Sequence, residues 1–185
     1  MSATALKQKK CRHCKDMFTP WASTQVACSP VCAIAVTNDR KAKRERKEHA
    51  QKKLTLKTRA QWLKEAQTAV NAFVRLRDEA RPCVSCDKPN NGQHQRHASH
   101  YRSVGACSSL RFNTLNIHAS CSTCNSVLSG NLIEYRIRLI KRLGVDCVEW
   151  LERQNEIVRY DIEYAKRVKR IFKKRTAIYR RLRNE

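Results

Sequence analysis

The chain has 185 residues, room for one ordinary domain or two very small ones joined by helices. Its 39 Lys and Arg stand against 16 Asp and Glu, a formal charge of +23 that repels itself in a compact fold and calls for a polyanionic partner. A mean hydropathy of −0.67 with no long apolar run excludes a membrane-spanning helix, and the opening MSATALKQKKCRHC lacks the apolar core of an export signal. The expectation is a cytoplasmic protein that binds nucleic acid and not membrane.

The first element is a zinc module at 1–36, in which Cys11-x2-Cys14 precedes Cys28-x3-Cys32 by a short spacer carrying Phe18, Pro20 and Trp21. So small a unit cannot bury a sufficient core alone, and a metal would supply the missing stability. Pro30 suits the first turn of a helix bearing the second pair. Knuckle, hairpin and helix together read as treble-clef-like, either a purely structural button or a module that touches nucleic acid.

A basic helical linker follows at 37–82, free of Gly and of Pro before Pro82. It is one long helix or two. Leu56, Leu63 and Val70 recur every seven residues, with Ala66 and Phe73 three residues after the last two, which makes an apolar stripe. Arg40 to Lys53 lacks that stripe and is nearly all charged, a solvated face or one lying on phosphates.

Residues 83–145 change character. Cys83-x2-Cys86 and Cys121-x2-Cys124 bracket a stretch rich in Ser, Asn and His, with His94, His97 and His118 read as exposed loop histidines. Ten cysteines in a reducing compartment are unlike a disulfide framework, and two knuckles per ion complete a tetrahedral thiolate site, so two structural Zn²⁺ are expected. Cys107 and Cys147 are left over and read as buried thiols. A helix is expected from Ser126 to Leu143, stopped by Gly144. Asp146 and Glu149 suggest a capping box for a final basic helix, 146–185, with Leu151, Val158, Ala165, Phe172 and Tyr179 at heptad spacing. Its cations Lys166, Arg167, Lys169, Arg170, Lys173 and Lys174 are candidate phosphate contacts, as are Arg102 and Arg111 in the loop.

Within the bracketed stretch the order is His100, Asn116, Asn125, with Asn116 five residues before Cys121 and Asn125 directly after Cys124. This resembles the HNH (ββα-metal) endonuclease pattern, in a version with two CxxC pairs similar to the phage resolvase endonuclease VII. The run HASHYRSVGACSSLRFNTLNIHASCSTCNSVLSGN resembles more closely still the NinG (Rap) recombination proteins of lambda-like phages. The resemblance implies an α+β, mostly α fold, with a zinc-stapled HNH domain between the N-terminal module and long basic helices. It implies a bacterial host cell and branched DNA, such as Holliday junctions or D-loops, cleaved to a 3′-hydroxyl and a 5′-phosphate. His100 would be the general base, Asn116 would hold the loop that aims it, and Asn125 would bind a catalytic Mg²⁺ or Mn²⁺. Many HNH enzymes place a metal-binding Asp before the base; here that position is Ser99, with His97 as a further donor. The competing expectation is a non-catalytic zinc protein that binds DNA or RNA. A junction's two-fold symmetry would favour a homodimer.

Overall fold

The computed structural model describes residues 7–92 and 95–183; His94 lies outside them. The chain divides into two compact units between Lys57 and Thr58, so the segment read as a linker belongs partly to each.

In the first unit, β1 (Lys9–Lys10) pairs antiparallel with β2 (Met17–Phe18), and the first knuckle forms the turn between them. Cys11 N–H donates to the Asp16 carbonyl at 2.8 Å, and Lys15 takes the left-handed backbone that closes the turn. Helix α1 (Pro30–Thr55) starts as its residues dictate. Pro30 occupies the first turn, and the Ser29 hydroxyl accepts from the Cys32 amide at 3.2 Å. Only Cys32 and Val36 of α1 are buried, so the rest of the helix owes nothing to a core.

The second unit opens with α2 (Arg59–Arg77), started by a reciprocal cap between Thr58 and Gln61. The chain is thus a helix pair, and the stripe begins later than the heptad suggested. Leu56 falls in the break and is 80% exposed, whereas Leu63, Ala66 and Val70 are buried. Strands β3 (Arg96–His100) and β4 (Ile117–Cys121) form an antiparallel ribbon with Ser99 opposite His118 and His100 opposite Ile117.

Next come α3 (Leu132–Leu143), α4 (Val145–Arg153) and α5 (Ile162–Arg183). Helix α3 starts later than expected, because Thr123–Val127 is a single π turn and Ser129, Gly130 and Asn131 all take positive φ. Gly144 rather than Asp146 caps α4, and no side chain completes a capping box there. The heptad from Leu151 to Tyr179 spans a break, leaving Leu151 on α4 and Val158 in the connection.

The ribbon separates two cores. On one face Ala98 and Ile117 join Trp62, Val70 and Val74 of α2 and Ala165, Val168 and Phe172 of α5. Helices α2 and α5 run parallel: Arg59 bonds the Tyr160 carbonyl at one end, Lys169 pairs with Glu65 midway, and Arg183 pairs with Glu79 at the other. On the other face Tyr135 and Leu139 of α3 pack with Val148 and Leu151 of α4. The fold is α+β and mostly helical, as the sequence suggested.

Where α2 ends, Asp78 is buried to 1% exposure. Its carboxylate accepts two bonds from Arg77, at 2.8 and 2.7 Å, and one from the Ala119 amide of β4 at 3.0 Å. Burial alone would raise its pKa, but Arg77, the Ala119 amide and His118 together hold it below the usual carboxylate range. Asp78→Ala would leave Arg77 and Arg142 without their buried counter-ion. It is expected to cost about 3–5 kcal/mol in urea unfolding at saturating zinc, and an unchanged midpoint would refute this role.

Candidate active site and zinc centres

Four sulfurs converge twice: Cys11, Cys14, Cys28 and Cys32 in the first unit, and Cys83, Cys86, Cys121 and Cys124 in the second, each set within 4.8 Å of one another. No disulfide links any of them. Four thiolates so close repel unless a cation sits among them. Burial would raise Cys11, yet amides of Cys28, His13 and Cys14 directed at its sulfur lower it to about 6. Its neighbour Cys14 is pushed up to about 12. Cys121 likewise falls to about 7, against its burial, through the Cys124 amide and thiol, while burial and the neighbouring thiols push Cys124 up. Both tetrads fit a structural Zn²⁺, whose charge would bring all four sulfurs to thiolate. Of the remaining thiols, Cys107 is fully buried and Cys147 partly exposed.

The second tetrad holds the ribbon at its Cys121 end. Cys121 N–H donates to the Cys83 sulfur at 3.2 Å, and Val84 N–H to the Ala119 carbonyl at 3.0 Å. His100 lies at the far end of β3. Its Nε2 is 3.0 Å from the Arg111 carbonyl, which can only accept, so Nε2 carries the proton and Nδ1 holds the lone pair. Burial lowers its pKa, and the Arg111 charge adds to that, so the imidazole is neutral at pH 7.

Asn116, fully buried, ties the loop together. Its Oδ1 accepts from the Arg102 amide at 2.8 Å, and its Nδ2 donates to the Arg102 and Leu110 carbonyls at 2.9 and 3.3 Å. The Tyr101 amide, next to His100, donates to the Asn116 carbonyl at 2.8 Å. His100 and Asn116 are therefore brought together by one loop.

The other expected donors are placed differently. Alternation along β3 puts His97 and Ser99 on the His118 face, opposite His100. Asn125 is half-buried in the π turn after Cys124. Beyond the two tetrads, the described residues hold no convergent group of three His, Cys, Asp or Glu. A hard cation prefers carboxylate oxygens, and these donors do not by themselves make such a site.

His118 is not an exposed loop residue: it is 2% exposed. Its Nε2–H donates to the Leu115 carbonyl at 2.9 Å, and its Nδ1 accepts from Arg77 at 3.1 Å and Arg142 at 3.3 Å. The pattern was hidden because the two arginines come from distant helices. Burial and the Arg77 charge, which outweigh Asp78, lower its pKa from 6.5 to about 4. A depressed histidine gives the unfolded chain a proton that the folded chain refuses, so stability falls as pH drops from about 6.5 towards 4. The expected loss is about 1–2 kcal/mol by pH ~5, read from urea midpoints, with a shallower fall in His118→Gln. Parallel profiles would assign the acid sensitivity elsewhere.

Of the candidate phosphate contacts, Arg102 faces inward, its guanidinium on the Glu152 carbonyl and, at 3.1 Å, on Asn155. Lys166 and Lys169 pair with Glu163 and Glu65 and lie over the Trp62 ring. Arg167, Arg170, Lys173 and Lys174 are exposed along α5. Arg111 has a buried Nε without a partner and lies near enough to Arg59 for each charge to oppose the other. No helix of the described residues is long and apolar enough to cross a membrane.

A family model described as the bacteriophage lambda NinG protein matches residues 3–185. The chain is 37% identical to Protein ninG of Escherichia phage lambda over 203 aligned positions, covering 100% of this chain and 98% of that one. Protein ninG of Salmonella phage P22 is 36% identical, with 100% and 99% covered, and that of Escherichia phage 933W is 36% identical, with 96% of each covered. No solved structure matches.

Proposed function

The chain belongs to the NinG family, and on that premise we propose that it is a structure-specific DNA endonuclease of phage recombination, acting on branched DNA with His100 as its base. One observation carries the reading: a neutral imidazole at a strand end, its Nε2–H fixed on the Arg111 carbonyl and its loop tied by Asn116. Nδ1 would take a proton from water as its oxygen attacks the phosphorus and the P–O3′ bond breaks, O3′ leaving with a proton from solvent, to give a 3′-hydroxyl and a 5′-phosphate. Such a base is expected near Arg111 and Arg59, two like charges that a phosphate would relieve. The exposed cations of α5 would add sequence-independent backbone contacts, so that branch geometry rather than base sequence selects the site. Dependence on Mg²⁺ or Mn²⁺ belongs to the same reading; with no carboxylate on the expected pattern, Asn125 and the DNA phosphates would have to supply the ion's oxygens.

A non-catalytic zinc protein that binds DNA is the second reading, favoured by the lack of a carboxylate at Ser99. A labelled four-way junction incubated with the protein and either metal separates the two. Junction-selective cutting, with a linear duplex spared, is the expected result. Tight binding without cutting in both metals would leave the binder.

A further inference from the structure

Beside the loop that holds His100 lies a cavity of about 490 Å³, between Phe112 and the exposed face of α5. Its size is that of a small-molecule site. Aromatic rings make its walls: Phe112 and Tyr164 have centroids 6.3 Å apart and tilted by 35°, and Tyr164 is stacked on Tyr160 at 4.4 Å. Phe172 and Val168, both buried, belong to the core beneath, while Ile171 lines the open side.

Each ring carries a guanidinium. Arg167 lies 5.1 Å over Tyr164, Arg175 5.3 Å over Phe172, and Arg111 5.4 Å over Phe112. Arg167 and Arg175 are exposed, two turns apart on α5, and no acidic residue lines the cavity. Phe112 and Phe172 are each only 7% exposed, so the ring open to a partner is the half-buried Tyr164, backed by Tyr160 and covered by the exposed Arg167. A flat aromatic group joined to an anionic backbone would take that guanidinium's place on the ring and leave the arginine to a phosphate. A fully paired duplex cannot offer that group, because its bases are stacked inside. An apolar peptide has no charge for the rim to meet.

We propose that this groove is a stacking subsite for one unpaired nucleobase of DNA, with Arg167 and Arg175 on the phosphates that flank it. It rests on the nuclease reading only for its purpose: a branch point exposes unpaired bases, and Phe112 follows directly on Arg111, whose carbonyl holds His100. A base seated here would fix the strand next to the proposed base histidine. The subsite deepens that reading by naming local unpairing, rather than bend angle alone, as what is recognised.

The test reads binding and not cleavage, so either idea can fail without the other. The full-length protein is titrated into a short strand of abasic residues that carries one fluorescent adenine analogue as its only base. Stacking is expected to quench the analogue, and replacing it by an abasic residue is expected to weaken binding. Tyr164→Ala is expected to weaken single-strand binding between about 5-fold and about 150-fold, with Tyr164→Phe close to wild type and duplex affinity unchanged. No quenching by wild type, or an abasic strand bound equally well, overturns the proposal whether or not the variants fold. Equal losses on duplex and single strand in folded Tyr164→Ala would also overturn it, assigning the ring to packing.

Discussion

Zinc removal by a chelator, or Cys124→Ser at saturating zinc, is expected to dissolve the β3–β4 ribbon and with it every residue of the proposed active site. Cys83, Cys121 and Cys124 are buried together, so the tetrad is a small core as well as a candidate metal site. Cys121 is the last residue of β4, and Cys83 holds its amide, so a metal held by the tetrad would fix one end of the strand pair. The opposing apolar cover is thin, since the ribbon's second face carries Ser99, His118 and Ser120 rather than aliphatic side chains. Structural zinc contributes roughly 10–16 kcal/mol in small peptides, comparable with the roughly 5–15 kcal/mol that holds a whole domain together. Helices α2 and α5 share their own core and are expected to keep much of the helical signal. Amide exchange is the suitable measurement, with protection lost at residues 117–121 and partly retained in α2. Protection in β4 that survives complete zinc removal would show that packing alone supports the ribbon.

What the sequence made legible were features whose chemistry is local. The cysteine pairs announced both tetrads, because a knuckle needs only its own few residues. Pro30 marked the start of α1 for the same reason, since a first helical turn depends on little beyond itself. Periodicity misled where it ran across a break. Leu151 and Phe172 keep a heptad spacing, yet they sit in different cores, because nothing in an apolar repeat records the connection from Gln154 to Asp161. Positive φ at Ser129 and Asn131 likewise breaks a stretch whose composition reads as continuous helix. The Arg77–Asp78–His118–Arg142 group was illegible for a different reason. Its members lie up to 65 residues apart (Arg77 to Arg142), and an acid flanked by cations resembles a surface charge until the fold buries it. His100 and Asn116 stand between these cases: the family resemblance implied a shared loop, but only register shows that Ser99 and His97 face away from His100.

His100→Ala is expected to lower the junction-cleavage rate by about 10²–10⁴-fold while leaving gel-shift affinity close to wild type. Binding should survive because the exposed cations of α5 and the rim of the aromatic cavity lie on other elements. The loss should be in the chemical step, since a carbonyl already holds Nε2–H and leaves the ring's basic nitrogen as Nδ1. Burial keeps that ring neutral at pH 7, which is the state a proton acceptor needs. Asn116→Ala makes a useful companion, because three bonds to the backbone at Arg102 and Leu110 vanish and the loop loses its tie. If Asn116 acts by positioning, its variant should cut slowly while His100, still present, keeps the same pH profile. A His100→Ala protein that cuts as fast as wild type would remove the imidazole from the chemistry altogether. The half-buried histidine would then be explained as a polar fastener between β3 and the Arg111 loop, its bond worth on the order of 1 kcal/mol to stability.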